Sequence, residues 1–277
     1  MRVVRHETGE ALLRHAGAML EAAEAENGLM LGICAGPPPQ VDPGEEALWI
    51  SVDEGAPIAA AVRTPPFNLV VSRGSHAAME AIVEHLRDAT LPGVIGTADA
   101  ASAFAEAWTR ARGGASAITM RQLVYELTRV ETPPRAPGAL RAARLEESAL
   151  IGGWISAFNT DAGLPAREDA ALRRLAAGWI ASGAMFVWED AGRPVSMATL
   201  QAPTRNGIRV SLVYTPRELR GRGYASACVS AVSSHALATG RRLCTLYTDA
   251  TNPTSNSIYR RVGYRPVCES LMIQLGG

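Results

Sequence analysis

The chain contains no lysine; all 27 of its basic residues are arginine. That absence excludes chemistry built on a lysine amine, such as a Schiff base, and excludes a Walker phosphate loop. Cysteine is scarce as well. Cys34, Cys228, Cys244 and Cys268 are scattered, with no C-x-x-C or Cys/His ligand spacing, so no metal site is expected and they read as small apolar residues of a reducing compartment. The stretch from Met1 to Gly9 is polar, unlike a signal-peptide core, and no apolar run approaches the ~18 residues needed to cross a bilayer. These absences together lead to the expectation of a cytoplasmic protein without membrane or metal partners.

Net charge is also missing, but only as a cancellation. Residues 1–140 hold 11 arginines against 17 acidic residues, a balance of −6; residues 141–277 hold 16 against 10, a balance of +6. Such asymmetry either helps two domains dock or bears on a ligand. With 277 residues, 47% of them apolar and 19% charged, the chain can bury a sizeable core and has the length of two domains. Three prolines and a glycine fall within Thr132-Pro133-Pro134-Arg135-Ala136-Pro137-Gly138, close to the midpoint. This composition stops helices and central strands, so residues 133–138 are expected to link a domain at 1–132 to one at 139–277.

Periodicity gives each side of the linker a similar order of elements. In the second half, helical spacing over 139–158 and 167–182 precedes strands at 184–189, 193–201 and 208–214. A glycine-rich turn leads into a helix over 224–239, then a strand at 243–248, a short helix over 255–262 and a closing strand at 265–275. In the first half, a helix over 12–25 is followed by strands at 48–52, 57–62 and 68–72. A helix over 76–89, a strand at 93–97, a helix over 102–112 and a strand or hairpin at 118–130 complete it. Asp53, Gly55 and Pro57 match Asp190, Gly192 and Pro194 at a constant offset. The expectation is a duplicated α+β unit.

The halves differ in the turn between the third of these strands and the next helix. The first half has only Arg73-Gly74-Ser75 there. The second has Thr215-Pro216-Arg217-Glu218-Leu219-Arg220-Gly221-Arg222-Gly223-Tyr224-Ala225-Ser226. Glycines at i and i+2 before a helix let successive N–H groups converge, and the positive helix end behind them suits an anion such as a pyrophosphate. Arg217, Arg220 and Arg222 add positive charge. The dinucleotide fingerprint is excluded, because a third glycine is absent and the surrounding order is not a parallel β-α-β unit.

The run Leu212-Val213-Tyr214-Thr215-Pro216-Arg217-Glu218-Leu219-Arg220-Gly221-Arg222-Gly223-Tyr224-Ala225 resembles the acyl-CoA signature of the GNAT superfamily of N-acyltransferases. About thirty residues on, Asn252-Pro253-Thr254-Ser255-Asn256-Ser257-Ile258-Tyr259 followed by Gly263-Tyr264 is similar to the second signature of that family. The resemblance covers about residues 139–277. It implies two GNAT-like mixed-sheet units flanked by helices, the first a degenerate copy without a cofactor loop. It also implies acetyl-CoA as cosubstrate and a small-molecule or peptide amine as acceptor. By the same resemblance, Leu212, Val213 and Tyr214 pair their backbone with the pantetheine arm, while Arg220, Gly221, Arg222, Gly223, Tyr224, Ala225 and Ser226 hold the pyrophosphate. Asn252 and Asn256 would bond the pantetheine amides, although both are also ordinary turn and cap residues. Tyr259 becomes the general acid for the departing thiolate; a phenol of pKa ~10 and a thiol of pKa ~8.5 exchange a proton readily.

No general base stands out. Strand 208–214 offers only Arg209 and Ser211, leaving Asp161, Glu189 and Asp249 as acids elsewhere. A silent acyl-CoA-binding module is therefore the rival reading. Nucleic-acid binding ranks last, since the arginine-rich half has no basic helix or stacking aromatic pair.

Overall fold

Short polar side chains set several helix starts. Thr8 Oγ1 accepts from the Ala11 N–H at 3.1 Å, Ser75 Oγ from the Ala78 N–H at 3.2 Å, and Asn252 Oδ1 from the Ser255 N–H at 3.0 Å. The computed structural model describes every residue except Gln40, Pro43, 132–135 and Gly277. Its first half runs β1 (Arg2–Arg5), α1 (Gly9–Glu21), α2 (Glu24–Ala35), β2 (Leu48–Glu54), β3 (Ala56–Arg63), β4 (Leu69–Val71), α3 (His76–His85), β5 (Gly93–Thr97), α4 (Ala98–Arg112) and β6 (Ser116–Leu127). The second half repeats this order as β7 (Ala139–Ala142), α5 (Ser148–Asp161), α6 (Asp169–Ala181), β8 (Met185–Asp190), β9 (Arg193–Gln201), β10 (Gly207–Tyr214), α7 (Tyr224–Ala238), β11 (Leu243–Asp249), α8 (Pro253–Val262) and β12 (Arg265–Leu275). Of the expected linker, residues 133–135 lie outside the described residues.

Two expectations need correction. Residues 139–158 are not one helix: Ala139–Ala142 forms the edge strand β7, antiparallel to β8, and α5 begins only at Ser148. Edge pairing overrode a helix-like spacing of apolar residues. The expected helix at 12–25 is two helices, and α2 was missed because it is buried on most sides, including Glu24, Asn27 and Gly28, so no apolar stripe marks it. Of the strand or hairpin expected at 118–130, the strand forms, as β6 over Ser116–Leu127.

All twelve strands join one mixed sheet, in the order β1-β2-β3-β4-β5-β12-β6-β11-β10-β9-β8-β7. Only β4–β5 and β10–β11 are parallel; the other neighbours are antiparallel. The centre is an exchange of strands. β12 ends the second half yet lies against β5, and β6 ends the first half yet lies against β11. Leu271, Ile273 and Leu275 of β12 accordingly fill the core under α3 and α4, while Tyr125 and Leu127 of β6 fill the core under α7 and α8. Helices α1, α2, α5 and α6 cover the opposite face.

Helix α2 also crosses to the second half. The buried Glu24 carboxylate accepts hydrogen bonds from Asn206 N and Gly207 N at 2.9 Å, from Asn206 Nδ2 at 2.8 Å and from Thr204 Oγ1. Those bonds outweigh its burial and hold its pKa below the usual carboxylate range. Among the described residues no helix is long and apolar enough to cross a membrane.

Candidate active site

Strands β10 and β11 pair only at Gly207–Leu243, Ile208–Cys244 and Arg209–Thr245, and then part. On its other side β10 slips register against β9 between Ser211 and Tyr214, so Leu212 and Val213 leave that ladder too. Leu212 sits at φ +50°, where a branched side chain strains the backbone; such outliers cluster where a ligand meets the chain. A bulge beside a parting of strands leaves backbone groups of Leu212 and Val213 facing an opening rather than a neighbour. The equivalent strands of the first half stay in contact. A Cβ built on Gly96 of β5 would lie 2.7 Å from the Val71 carbonyl oxygen of β4.

Beyond β10, Thr215 and Pro216 are buried and Arg217–Leu219 make one tight helical turn. Gly221 (φ +79°) and Gly223 (φ +82°) then take left-handed conformations that bring the chain into α7. No side chain caps the α7 N-terminus; its first N–H groups point out of an exposed turn, as an anion site requires. Tyr224 contributes to the turn by its backbone alone, because its ring is in the core and its hydroxyl donates to Asp190 Oδ2 at 2.5 Å. Ala225 and Ser226 follow, half-buried, on the first turn of α7.

The arginines are already engaged. Asp161, at the end of α5, accepts from Arg217 Nη2 and, at 2.5 Å, from Arg220 Nη2. Arg217 first and Arg220 second hold the Asp161 carboxyl below the usual carboxylate range. Arg220 also donates to the Thr215 carbonyl at 3.0 Å and stacks 5.6 Å from the centre of the Tyr214 ring. Arg222 is exposed.

On α8, Tyr259 and Asn256 share a face that meets Tyr125. Asn256 is spent on its own turn: Oδ1 accepts from the Tyr125 hydroxyl at 2.9 Å, and Nδ2 donates to the Asn252 and Asp249 carbonyls at 2.7 and 3.0 Å. Asn252 Oδ1 is the helix cap described above. The Tyr259 ring packs between Tyr125 and Tyr264, with ring centres 6.2 and 6.0 Å away, and burial pushes its phenol pKa up. Among the described residues its hydroxyl makes no hydrogen bond. In the first half, the matching helix α4 carries Trp108, buried against Phe104.

Each of the three acids left as bases is occupied. Asp161 is held as above, Glu189 pairs with Arg141 at 2.5 Å, and Asp249 accepts from Thr251 N and Oγ1 at 2.8 and 2.7 Å. One residue escapes the sequence. Tyr125 belongs to the other half and reaches the site only through strand exchange, so no sequence spacing points to it. Arg209 stood out only as a charge on an apolar strand.

Residues 154–264, which contain both parted strands, the glycine turn and Tyr259, match the acetyltransferase (GNAT) family. The second half belongs to the GNAT superfamily. The chain as a whole has the fold of solved GNAT proteins. It is similar to a GCN5-related N-acetyltransferase from Sphaerobacter thermophilus, at 20% identity and a TM-score of 0.61 over 98% of this chain and 94% of that one. An acetyltransferase of the GNAT family from Colwellia psychrerythraea matches at 12% identity and 0.59, over 99% and 98%. A tandem GNAT protein from the clavulanic acid biosynthesis pathway matches at 14% and 0.54, over 98% and 97%. No curated protein matches the sequence. GNAT membership supports acyl transfer as the general chemistry of this site.

Proposed function

We propose that the chain transfers an acetyl group from acetyl-CoA to a primary amine, using the site of residues 139–277, and that residues 1–132 are a degenerate copy. The observation that carries this reading is the parting of β10 and β11 directly before an uncapped glycine turn. Backbone groups freed at Leu212 and Val213 suit the amides of a pantetheine arm, with Tyr214 back in register against Met197, and the N–H groups from Gly221 to Ser226 suit its pyrophosphate. The first half has neither the gap nor the turn.

The amine nitrogen attacks the thioester carbon, the C–S bond breaks, and sulfur leaves with the electron pair. Tyr259 gives its hydroxyl proton to that thiolate, and the proton shed by the nitrogen restores the phenol through solvent. A phenol is protonated at neutral pH in any case; burial pushes its pKa further from that of the thiol, so the transfer requires the thiolate to form against the hydroxyl. Tyr259→Phe is expected to lower kcat about 100-fold or more, the usual worth of a general acid, with acetyl-CoA Kd unchanged. Equal turnover by the two proteins would remove the role.

Asp161 competes with phosphate for Arg217 and Arg220. Asp161→Asn is expected to tighten CoA binding roughly fivefold at low salt, the order of one surface ion pair, with the gain fading as salt rises. Calorimetric titration of CoA at two ionic strengths reads this.

The occupation of Asp161, Glu189 and Asp249 favours one rival, binding without transfer. A panel of amines assayed for acetyl-CoA consumption separates the two: turnover of any amine supports the enzyme, and CoA binding with no turnover across the panel supports the silent module.

A further inference from the structure

Arg209 is the last β10 residue paired with β11 before the strands part. Its guanidinium Nε is cut off from water and has no hydrogen-bond partner, and no carboxylate lies within ion-pairing distance of it among the described residues. The cross-strand neighbour Gln201 has the same defect: its Nε2 is buried and unpartnered. A desolvated cation without an anion is costly; Arg141, by contrast, bonds both Glu147 and Glu189. Burial pulls the Arg209 pKa down, opposed only by the Tyr247 phenol.

The two orphaned donors lie together and are not sealed. Arg209 and Gln201 each remain partly exposed. They stand in a row across one face of the sheet, Gln201, Arg209, Thr245 and Glu126, on the side away from α7. Helix α2 passes over Thr245, where a Cβ on Gly28 would come within 3.7 Å of its Oγ1. Three strand residues, about 10 Å, separate Arg209 from the strained Leu212. The planar set of Arg209 donors therefore stands on the same strand as the bulge at Leu212, on the face of the sheet that α2 crosses.

We propose that Arg209, assisted by Gln201, binds a carboxylate carried by one of the two reactants. The carboxylate sits either on the acceptor, as in an α-amino acid, or on the acyl group, as in a dicarboxylic acyl thioester. The inference rests on the acyl-transfer reading and names what that site selects.

Calorimetry on the full chain tests both sources. In the acceptor arm, L-amino acids and their carboxamides are titrated with and without CoA. In the donor arm, succinyl-CoA is compared with propionyl-CoA. In one arm the carboxylate member is expected to bind at least about tenfold tighter, as one charge-assisted pair allows. Arg209→Gln is expected to reduce that preference to less than about twofold, and Arg209→Lys, which keeps the charge but loses the fork, to retain part of it. Wild-type protein without carboxylate preference in either arm, or a preference that survives Arg209→Gln, overturns the proposal. If no CoA species binds at all, the acyl-transfer reading fails, while the amino acids titrated without CoA still report on Arg209.

Discussion

Gly223→Asp is expected to weaken CoA binding by about four orders of magnitude while the protein stays folded. Two costs add. The first is conformational: Gly223 holds φ +82°, and a side chain there costs on the order of 1–2 kcal/mol. Packing adds little, since the nearest atom to a Cβ at this position is the Ala136 Cβ, 3.7 Å away in ordinary contact. The second is electrostatic. A carboxylate about 4 Å from a phosphate costs about 4 kcal/mol at the effective dielectric of a protein surface, which alone is close to a thousandfold. Gly223→Ala separates the two, because it carries the strain without the charge. It is expected to lose about tenfold in affinity, and the aspartate variant the rest. The melting temperature of both variants serves as the control. If Gly223→Asp binds CoA as wild type does, the turn does not hold the pyrophosphate.

Leu271→Ala is expected to destabilise the half of the protein that its own chain segment does not belong to. Leu271 is 3% exposed and lies in the core built by β2–β5, α3 and α4. Truncating a buried leucine costs about 2–5 kcal/mol, from lost transfer energy and the cavity left behind. Hydrogen exchange is expected to quicken in β5 and α4 more than in α7 or α8. The reciprocal substitution, Leu127→Ala in β6, strikes the core beneath α7 and α8 and is expected to quicken exchange there and to loosen Tyr125, Asn256 and Tyr259 together. If each substitution affects only the half in which its residue stands in sequence, the strand exchange is wrong.

Exchange also explains why the first half persists without a cofactor loop or an acid. It supplies Tyr125 to the hydrogen bond that fixes Asn256, and Glu24 to the turn that starts β10. Its contribution is positional, and removing it would leave α8 and β10 without those supports.

Much of this was readable in advance, for reasons that differ by residue. The strands 193–201, 93–97 and 265–275 coincide with their observed bounds because turn residues flank clear runs of strand formers. The glycine turn at Gly221 and Gly223 was legible because left-handed backbone has few solutions in sequence. Helix α2 was not, since a helix buried on most sides has no stripe, and β7 was not, since four residues of edge strand are specified by their neighbour. Asn252 and Asn256 stand at the start of α8, as turn and cap residues do, yet their side-chain bonds turn inward to the cap and to Tyr125, which no spacing announces.

The sequence by itself determined what is local: a lysine-free chain in which backbone N–H groups and arginines are the donors open to phosphate, a glycine turn before a helix, a tyrosine one helical turn after an asparagine, and the same order of elements twice. Tertiary structure decided everything that depends on which strand lies beside which. It joined two units into one sheet, exchanged β6 and β12, tied Arg217 and Arg220 to Asp161, and left Arg209 without a partner. The physical reason is range. Turns, caps and periodicity are settled by neighbours a few residues away, whereas strand order and the pairing of charges are settled by surfaces that lie far apart in sequence, as Asp161 does from Arg217 and β6 from β12.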